Sequence, residues 1–203
     1  MSALLLDEFE VQSVIESRKE SGSYRWVEVW DGLYVVPPLP DIRHGDLCGL
    51  FHRAFWESLQ PMGARCCGHV NISDRNKDWL SNVRCPDAAV FLPGNRAIDR
   101  FTHWQGGPCL LVEVAMPNDR CRDKLDFYAR VGTREVLIVD RHPWRLEQYQ
   151  LHRGRMRFKK TGAPADGKAL ESGVIPMSFR FIGRRGGPKL KITHTETGQE
   201  WVG

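Results

Sequence analysis

The chain has 203 residues, of which 41% are hydrophobic, and it carries a formal net charge of +4. This length supports one well-buried core and is too short for two large domains, so we expect a single domain. The first ten residues contain neither a basic flank with an apolar run nor a membrane span, which predicts a cytoplasmic protein without membrane association.

The six cysteines are spaced without any CxxC pair. Because that spacing fits neither a disulfide framework nor a zinc ribbon, we expect free and mostly buried thiols. Cys66 and Cys67 are adjacent, and neighbouring residues on a strand point to opposite faces, so joint metal binding by this pair is not expected.

The positive charge is concentrated towards the C-terminus. Residues 152–203 contain 11 Lys and Arg against 4 Asp and Glu, a net +7, whereas residues 1–151 contain 18 against 21, a net −3. A basic segment suits a polyanionic partner, because cations neutralise phosphates and release counterions. The same composition is also typical of a solvated surface segment.

A β-hairpin is the first predicted element. Residues 24–30 and 33–36 are rich in aromatic and β-branched side chains, and they flank Asp31-Gly32, which favours a two-residue turn. Apolar residues then recur every three or four positions from 44 to 59, which predicts an amphipathic helix. Residues 65–72 are predicted to form a strand.

Two further predicted strands, residues 83–92 and 109–116, each carry one acid among apolar neighbours, Asp87 and Glu113. A buried, unpaired carboxylate is strongly destabilising, so each acid must be paired, protonated or bound to a cation. If the strands are neighbours, the carboxylates can converge on one hard cation such as Mg²⁺. Each acid alone could instead pair with a buried arginine or cap backbone amides. The Gly- and Pro-rich residues 93–108 between them are predicted to form a surface connection.

A strand–helix–strand unit follows. The helix is predicted from about residue 119 to about residue 131, and the second strand covers residues 135–140. Such a unit requires a right-handed crossover and usually places its two strands in parallel. Residues 145–151 and 155–158 are then expected to form an antiparallel pair.

Lys124 lies on the face of the predicted helix that carries Cys121, Leu125 and Tyr128, so it is expected to point towards the sheet. An ammonium beside two acids and a metal can hold an attacking water or stabilise charge in a phosphoryl transition state. The side chain could instead extend along that face to solvent. The residues alone therefore favour a metal-binding phosphodiesterase site.

Two other residues are candidates for the same site. Glu28 shares a strand face with Tyr24, Trp26 and Trp30, where it could be a third metal ligand or the cross-strand partner of an arginine. His44 could be a general base or a substrate contact, although a histidine near a helix start is also typical of a cap or of a surface position.

These residues together resemble the Uma-type "putative restriction endonuclease" family of the PD-(D/E)XK nuclease superfamily. The resemblance extends from about residue 24 to about residue 151. It depends on residues 28–32 (EVWDG), His44, Pro86-Asp87, Glu113-Val114, residues 124–128 (KLDFY) and residues 132–140.

The resemblance implies an α/β (α+β) fold with a restriction-endonuclease-like mixed β-sheet flanked by α-helices and an N-terminal β-hairpin. It implies a core at residues 24–160, an N-terminal extension at 1–23 and a basic C-terminal extension at 161–203 that packs on or near the core. The implied activity is hydrolysis of DNA phosphodiester bonds with Mg²⁺ or Mn²⁺ as cofactor and DNA as partner, and a homodimer is compatible with it.

The resemblance also assigns roles to residues. Asp87 matches the first metal-binding acid and Glu113 the second, while Glu28 and His44 match further positions of the family. The superfamily lysine usually lies two residues beyond the second acid, where this chain has Ala115, and the lysine is instead identified as Lys124. The alternative function is a catalytically silent nucleic-acid-binding or protein-interaction module on the same fold, and a hydrolase of another substrate fits the same acids.

Overall fold

The computed structural model describes residues 4–6, 11–14, 16, 27–184 and 187–203. The predicted strand residues 24–26 and most of the predicted N-terminal extension lie outside this part of the chain. The α-helices are α1 (Ile42–Leu59) and α2 (Leu125–Arg130), with 3₁₀ turns at Gln60–Met62, Trp79–Ser81 and Cys121–Lys124, and residues 11–14 are also helical.

The strands in the described residues form three sheets. In chain order they are β1 (Leu4–Leu6), β2 (Glu28–Trp30), β3 (Leu33–Val36), β4 (Arg65–Gly68), β5 (Ile72–Ser73), β6 (Val83–Arg84), β7 (Ala88–Phe91), β8 (Ile98–Asp99), β9 (Trp104–Gln105), β10 (Leu110–Val114), β11 (Glu135–Arg141), β12 (Trp144–His152), β13 (Arg155–Gly162), β14 (Leu170–Glu171), β15 (Met177–Arg184), β16 (Gly187–His194) and β17 (Glu200–Val202).

The central sheet has the strand order β13-β12-β11-β10-β7-β4. Strands β10 and β11 are parallel, and the other neighbours are antiparallel, so the predicted mixed sheet and the strand–helix–strand unit are confirmed. Alternate residues of β10 face opposite sides, and the two sides are buried in two separate apolar clusters. Helix α1 packs in one cluster and α2 in the other.

The hairpin turn matches its sequence signature. Asp31 and Gly32 have φ angles of 49° and 87°, and Trp30 pairs with Leu33 across the turn. Positive φ at both central residues is the two-residue turn that fits the twist of the flanking strands, and glycine adopts it without steric cost. The same arrangement recurs at Arg153-Gly154, which joins the predicted antiparallel pair β12 and β13.

Helix α1 confirms the predicted periodic pattern. Asp41 caps its N-terminus by accepting a hydrogen bond of 2.8 Å from the backbone N–H of His44. The buried side chains of the helix are His44, Leu47, Cys48, Leu50, Phe51, Ala54, Phe55 and Leu59. No helix in the described part of the chain is long and apolar enough to cross a membrane.

Two strands predicted as continuous are each divided between two sheets, which corrects the prediction. The N-terminal sheet has the strand order β1-β3-β2-β6-β5-β9-β8. Residues 65–72 form β4 in the central sheet and begin β5 in the N-terminal sheet, whereas residues 83–92 form β6 in the N-terminal sheet and β7 in the central sheet. Pro86 has no N–H to donate, so a sheet ladder cannot continue through it. Asp87 therefore lies just before β7, at the crossing between the sheets.

The remaining connections contain more structure than the sequence predicted. Residues 93–108 include the strand pair β8 and β9, and Trp104 stacks on Phe91 with a ring separation of 4.0 Å. The helix predicted from 119 begins as the 3₁₀ turn and becomes α-helical only at Leu125. Asp119 accepts hydrogen bonds from the backbone N–H groups of Met116 and Cys121.

Residues 170–203 form a C-terminal sheet of order β14-β15-β16-β17. Its apolar face, which includes Phe179, Ile192 and Trp201, packs in the same cluster as α1. The ring of Phe179 lies 5.9 Å from that of Phe51. This sheet thus covers the outer side of α1 and fixes the helix against the central sheet.

Candidate active site

The two predicted acids lie close together where β7 begins beside β10. Ala88, the first residue of β7, pairs with Val112 of β10, and the backbone N–H of the preceding Asp87 donates to the carbonyl oxygen of Val112 at 3.1 Å. Asp87 Oδ2 accepts from the N–H of Val114, the residue after Glu113. The structure therefore brings the two carboxylates to one cavity, at the start of β7.

Glu113 is almost completely buried and contacts two side chains of the following helical segment. The ammonium of Lys124 donates to both carboxylate oxygens at 3.1 Å. The hydroxyl of Tyr128 donates a short hydrogen bond to Glu113 Oε1. Lys124 thus points to the sheet and not to solvent.

Glu28 holds Lys124 from the other side. Its Oε1 accepts from Lys124 Nζ at 2.8 Å and from the backbone N–H of Cys85 at 2.8 Å, and its Oε2 accepts from the indole of Trp30 at 2.7 Å. The cationic partner of Glu28 is therefore this lysine. The guanidinium of Arg84 instead lies over the ring of Trp30, 4.7 Å from its centroid.

Asp87 contacts two imidazoles and one backbone amide. His44 Nε2 lies 3.3 Å from Asp87 Oδ1, and His69 Nδ1 lies 3.7 Å from the same oxygen. Asp87 Oδ2 accepts a hydrogen bond of 2.7 Å from the N–H of Val114. His44 is thus neither the side-chain cap of α1 nor a surface residue, because its ring is buried and directed at Asp87.

The three titrating groups at the centre have different proton affinities. Burial raises the pKa of Glu113 to about 8, although the Lys124 ammonium opposes the shift and the Asp87 and Glu28 charges reinforce it. Burial is also the largest influence on Asp87 and opposes its ionisation, but the hydrogen bond and charge of His44, the N–H of Val114 and the charge of Lys124 together hold its pKa below the usual value. Burial disfavours the charged form of Lys124, yet Glu113 and Glu28 raise its pKa well above the usual value.

The charges of this site suit a bound divalent cation. Two buried acids, Glu113 and Glu28, and the partly buried Asp87 face one ammonium, so the fully ionised carboxylates exceed Lys124 by two negative charges. Asp87, Glu113 and Lys124 line one cavity of about 80 Å³. Carboxylate oxygens are the ligands that Mg²⁺ and Mn²⁺ prefer, and Asp87 and Glu113 are the residues that would hold such an ion.

Three neighbouring residues were not predicted as part of the site: Tyr128, His69 and Cys48. Tyr128 could have been found, because it follows Lys124 by one helical turn and was placed on the same inward face. Cys48 follows His44 by one turn of α1 in the same way, and its Sγ lies 3.4 Å from His44 Nδ1. His69 lies on the turn between β4 and β5, a break that the sequence pattern did not reveal.

The pKa of Glu113 predicts how stability changes with pH in the absence of divalent cations. The pKa of Glu113 is about 8 in the folded protein, against an ordinary value of 4.5. Between these two pH values the folded protein therefore binds one more proton at Glu113 than the unfolded chain does. The free energy of unfolding should therefore fall as pH rises through this window. Lys124 titrates above the window and Asp87 below it.

Urea unfolding in a chelator at pH 6 and pH 8.5 checks this expectation. In the Glu113→Gln variant the decline should become shallower, because the amide cannot titrate, whereas Asp126→Asn on the exposed side of α2 should keep the wild-type slope. Equal slopes in wild type and Glu113→Gln would show that another group is responsible.

The comparisons with known proteins agree with this architecture. The Uma2 family model, described as "Putative restriction endonuclease", matches residues 15–179. The fold is similar to the crystal structure of an Anabaena variabilis protein described as "a putative nuclease belonging to DUF820", with a TM-score of 0.56 and 14% sequence identity over 72% of this chain and 80% of that chain. No curated protein matches the chain. The likeness at 14% identity establishes the restriction-endonuclease-like fold, and the family match over residues 15–179 shows that the chain belongs to the Uma2 family.

Proposed function

We propose that this chain is an endonuclease that hydrolyses DNA phosphodiester bonds with Mg²⁺ or Mn²⁺ held by Asp87 and Glu113. The observation that carries the proposal is that these two carboxylates and the Lys124 ammonium line one cavity. The description of the Uma2 family as restriction endonucleases and that of the Anabaena variabilis protein as a nuclease support the same reaction class.

Each residue of the site has a separate role in the proposed reaction. A bound divalent cation would neutralise charge on the phosphate and lower the pKa of water. Asp87 is kept ionised and oriented by His44 and by the N–H of Val114, so one of its oxygens remains directed into the site. Tyr128 fixes the orientation of Glu113 through its hydroxyl.

Lys124 is the residue that meets the negative charge of the transition state. An ammonium has three hydrogens, and here its recorded acceptors are the two oxygens of Glu113 and Oε1 of Glu28. Lys124 can therefore donate to a water or a phosphate oxygen only when one of these acceptors takes another partner. A cation bound to Glu113 would be such a partner. One hydrogen of the Lys124 ammonium would then be free to donate to the phosphate oxygen on which negative charge develops.

The choice of DNA as substrate is supported by a basic strand. Arg155, Arg157, Lys159 and Lys160 of β13 are all exposed, and β13 packs beside α2, the helix that follows Lys124. Exposed cations on one strand neutralise phosphates and bind polyanions with a strong salt dependence. The net charge of +7 over residues 152–203 belongs partly to this strand.

Calorimetric titration with Mn²⁺ tests the proposed centre. The wild-type protein should bind the ion, Asp87→Asn should lose that binding, and Asp126→Asn, which removes an exposed acid from α2, should bind as wild type does. Binding lost in Asp87→Asn together with cleavage of plasmid DNA by the wild type supports the nuclease. Absence of Mn²⁺ binding by the folded wild-type protein would instead indicate a catalytically silent module.

A further inference from the structure

A second group of metal-ligand side chains lies on the side of Asp87 that faces α1. One ligand atom from each of His44, Cys48 and Asp87 can be chosen so that all three lie within 4.8 Å of one another. His44 is the central member, since its Nδ1 lies 3.4 Å from Cys48 Sγ and its Nε2 lies 3.3 Å from Asp87 Oδ1. We call this group the thiol–imidazole cluster.

The fold holds the cluster in place. His44 and Cys48 are four residues apart on α1, so their side chains occupy the same face of the helix. The helix start is fixed by the Asp41 cap, and Asp41 is itself bound by the buried guanidinium of Arg141 at 2.8 Å. Both cluster residues of α1 are 8% exposed, so their positions are set by packing.

The ligand types of the cluster differ from those of the carboxylate pair. A thiolate, an imidazole and one carboxylate are the donors that Zn²⁺ and Co²⁺ accept, whereas Mg²⁺ requires oxygen ligands. With Cys48 as thiolate and Asp87 as carboxylate, a divalent ion would be neutralised completely by its protein ligands.

We propose that the thiol–imidazole cluster is a second cation site, which binds Zn²⁺ through His44, Cys48 and Asp87. Cys48 is a neutral thiol in the absence of the ion, because burial raises its pKa. The sulfur–metal bond therefore forms as the S–H bond breaks, and the thiol proton leaves to solvent. The imidazole of His69, 3.7 Å from Asp87 Oδ1, is the nearest described candidate for a fourth ligand.

The site has a consequence for the proposed reaction. Asp87 Oδ2 is occupied by the N–H of Val114, so Oδ1 is the oxygen that both cations would use. Zn²⁺ in the cluster should therefore compete with Mg²⁺ or Mn²⁺ for Asp87 and inhibit cleavage. This consequence rests on the proposed nuclease function, whereas Zn²⁺ binding itself does not.

Absorption spectroscopy with Co²⁺ tests the cluster without any activity measurement. Co²⁺ added to the reduced protein should produce a thiolate-to-cobalt charge-transfer band in the near ultraviolet at one ion per chain, and Zn²⁺ should displace it. The band should be lost in Cys48→Ser. The band should persist in Cys66→Ser, the matched control. The Cys66 thiol of the wild-type protein is also buried, but it donates to the backbone carbonyl of Phe55 and not to an imidazole or a carboxylate.

The two cysteine variants also separate this proposal from the nuclease proposal. Cys48→Ser should lower Zn²⁺ affinity by about 100-fold or more, because loss of a residue that merely supports a ligand already costs 10–100-fold. Its Mn²⁺ titration should still show the binding stoichiometry of the wild type, since Asp87 and Glu113 are unchanged. A cobalt band unchanged in folded Cys48→Ser, or no band in the wild type, overturns the cluster and leaves the nuclease proposal intact.

Discussion

Replacing Asp87 with asparagine should reduce metal-dependent cleavage of DNA by on the order of 10³-fold, the scale expected when an essential charge-stabilising group is removed from an active site. The carboxylate accepts from the N–H of Val114 on the Glu113 strand and lies against the His44 ring. An amide oxygen cannot supply the missing negative charge to a divalent ion. The measurement is the rate of plasmid nicking and linearisation at saturating Mn²⁺.

This substitution separates the charge of Asp87 from its structural contacts. Asparagine keeps an oxygen that can accept from the N–H of Val114, and its amide group can donate to His44 Nε2. The variant should therefore fold and bind DNA in the absence of metal as the wild type does. Asp126→Asn, purified in the same way, controls for a contaminating nuclease. Cleavage at the wild-type rate by Asp87→Asn would refute the assignment of the metal site.

Much of the fold is predictable because its signals are local. The turn at Asp31-Gly32 needs only two residues with positive φ, and the apolar period of α1 reports directly which of its faces is buried. The parallel pairing of β10 and β11 follows from the length and handedness of the connection between them. Each of these elements was predicted without knowledge of any distant contact.

The division of strands between sheets was not predictable in the same way. Residues 65–72 and 83–92 each contain enough apolar side chains to fit a single strand, so their composition does not show that each segment changes sheet. The change is decided by pairing, because β4 follows β7 into the central sheet while β5 and β6 pair in the N-terminal sheet. Pro86 was the one local signal of this break, and it stands immediately before Asp87.

The candidate site also combines residues that the sequence reveals with contacts that it does not reveal. Asp87, Glu113 and Lys124 could be identified because charged residues in apolar segments are costly and require an explanation. Glu28 and His44 were also named as candidates, but their partners, Lys124 and Asp87, are distant in sequence and could not be assigned. His69 was missed because its approach to Asp87 depends on the sheet crossing.

Replacing Lys124 with methionine should lower the free energy of unfolding by about 3–5 kcal/mol, the usual cost of leaving a buried charge without its partner. The ammonium is shared by Glu28 and Glu113, both of which are almost fully buried. Methionine fills similar space without a donor, so Glu28 would lose its buried cation and Glu113 would be driven further towards its protonated form. The measurement is urea denaturation of the reduced, metal-free protein at pH 7.5.

A second substitution shows whether the loss arises from charge. Glu113 Oε1 accepts from Tyr128, whereas the recorded partner of Oε2 among the described residues is Lys124 alone. Glutamine at 113 can therefore keep the Tyr128 contact and place its amide group where the lysine was. The Lys124→Met/Glu113→Gln double variant should be about 1–3 kcal/mol more stable than Lys124→Met, a coupling typical of residues in direct contact. Lys159→Met on the exposed face of β13 should change stability by less than about 0.5 kcal/mol. A Lys124→Met protein as stable as the wild type would show that the ammonium is solvated and that Glu28 and Glu113 do not depend on it.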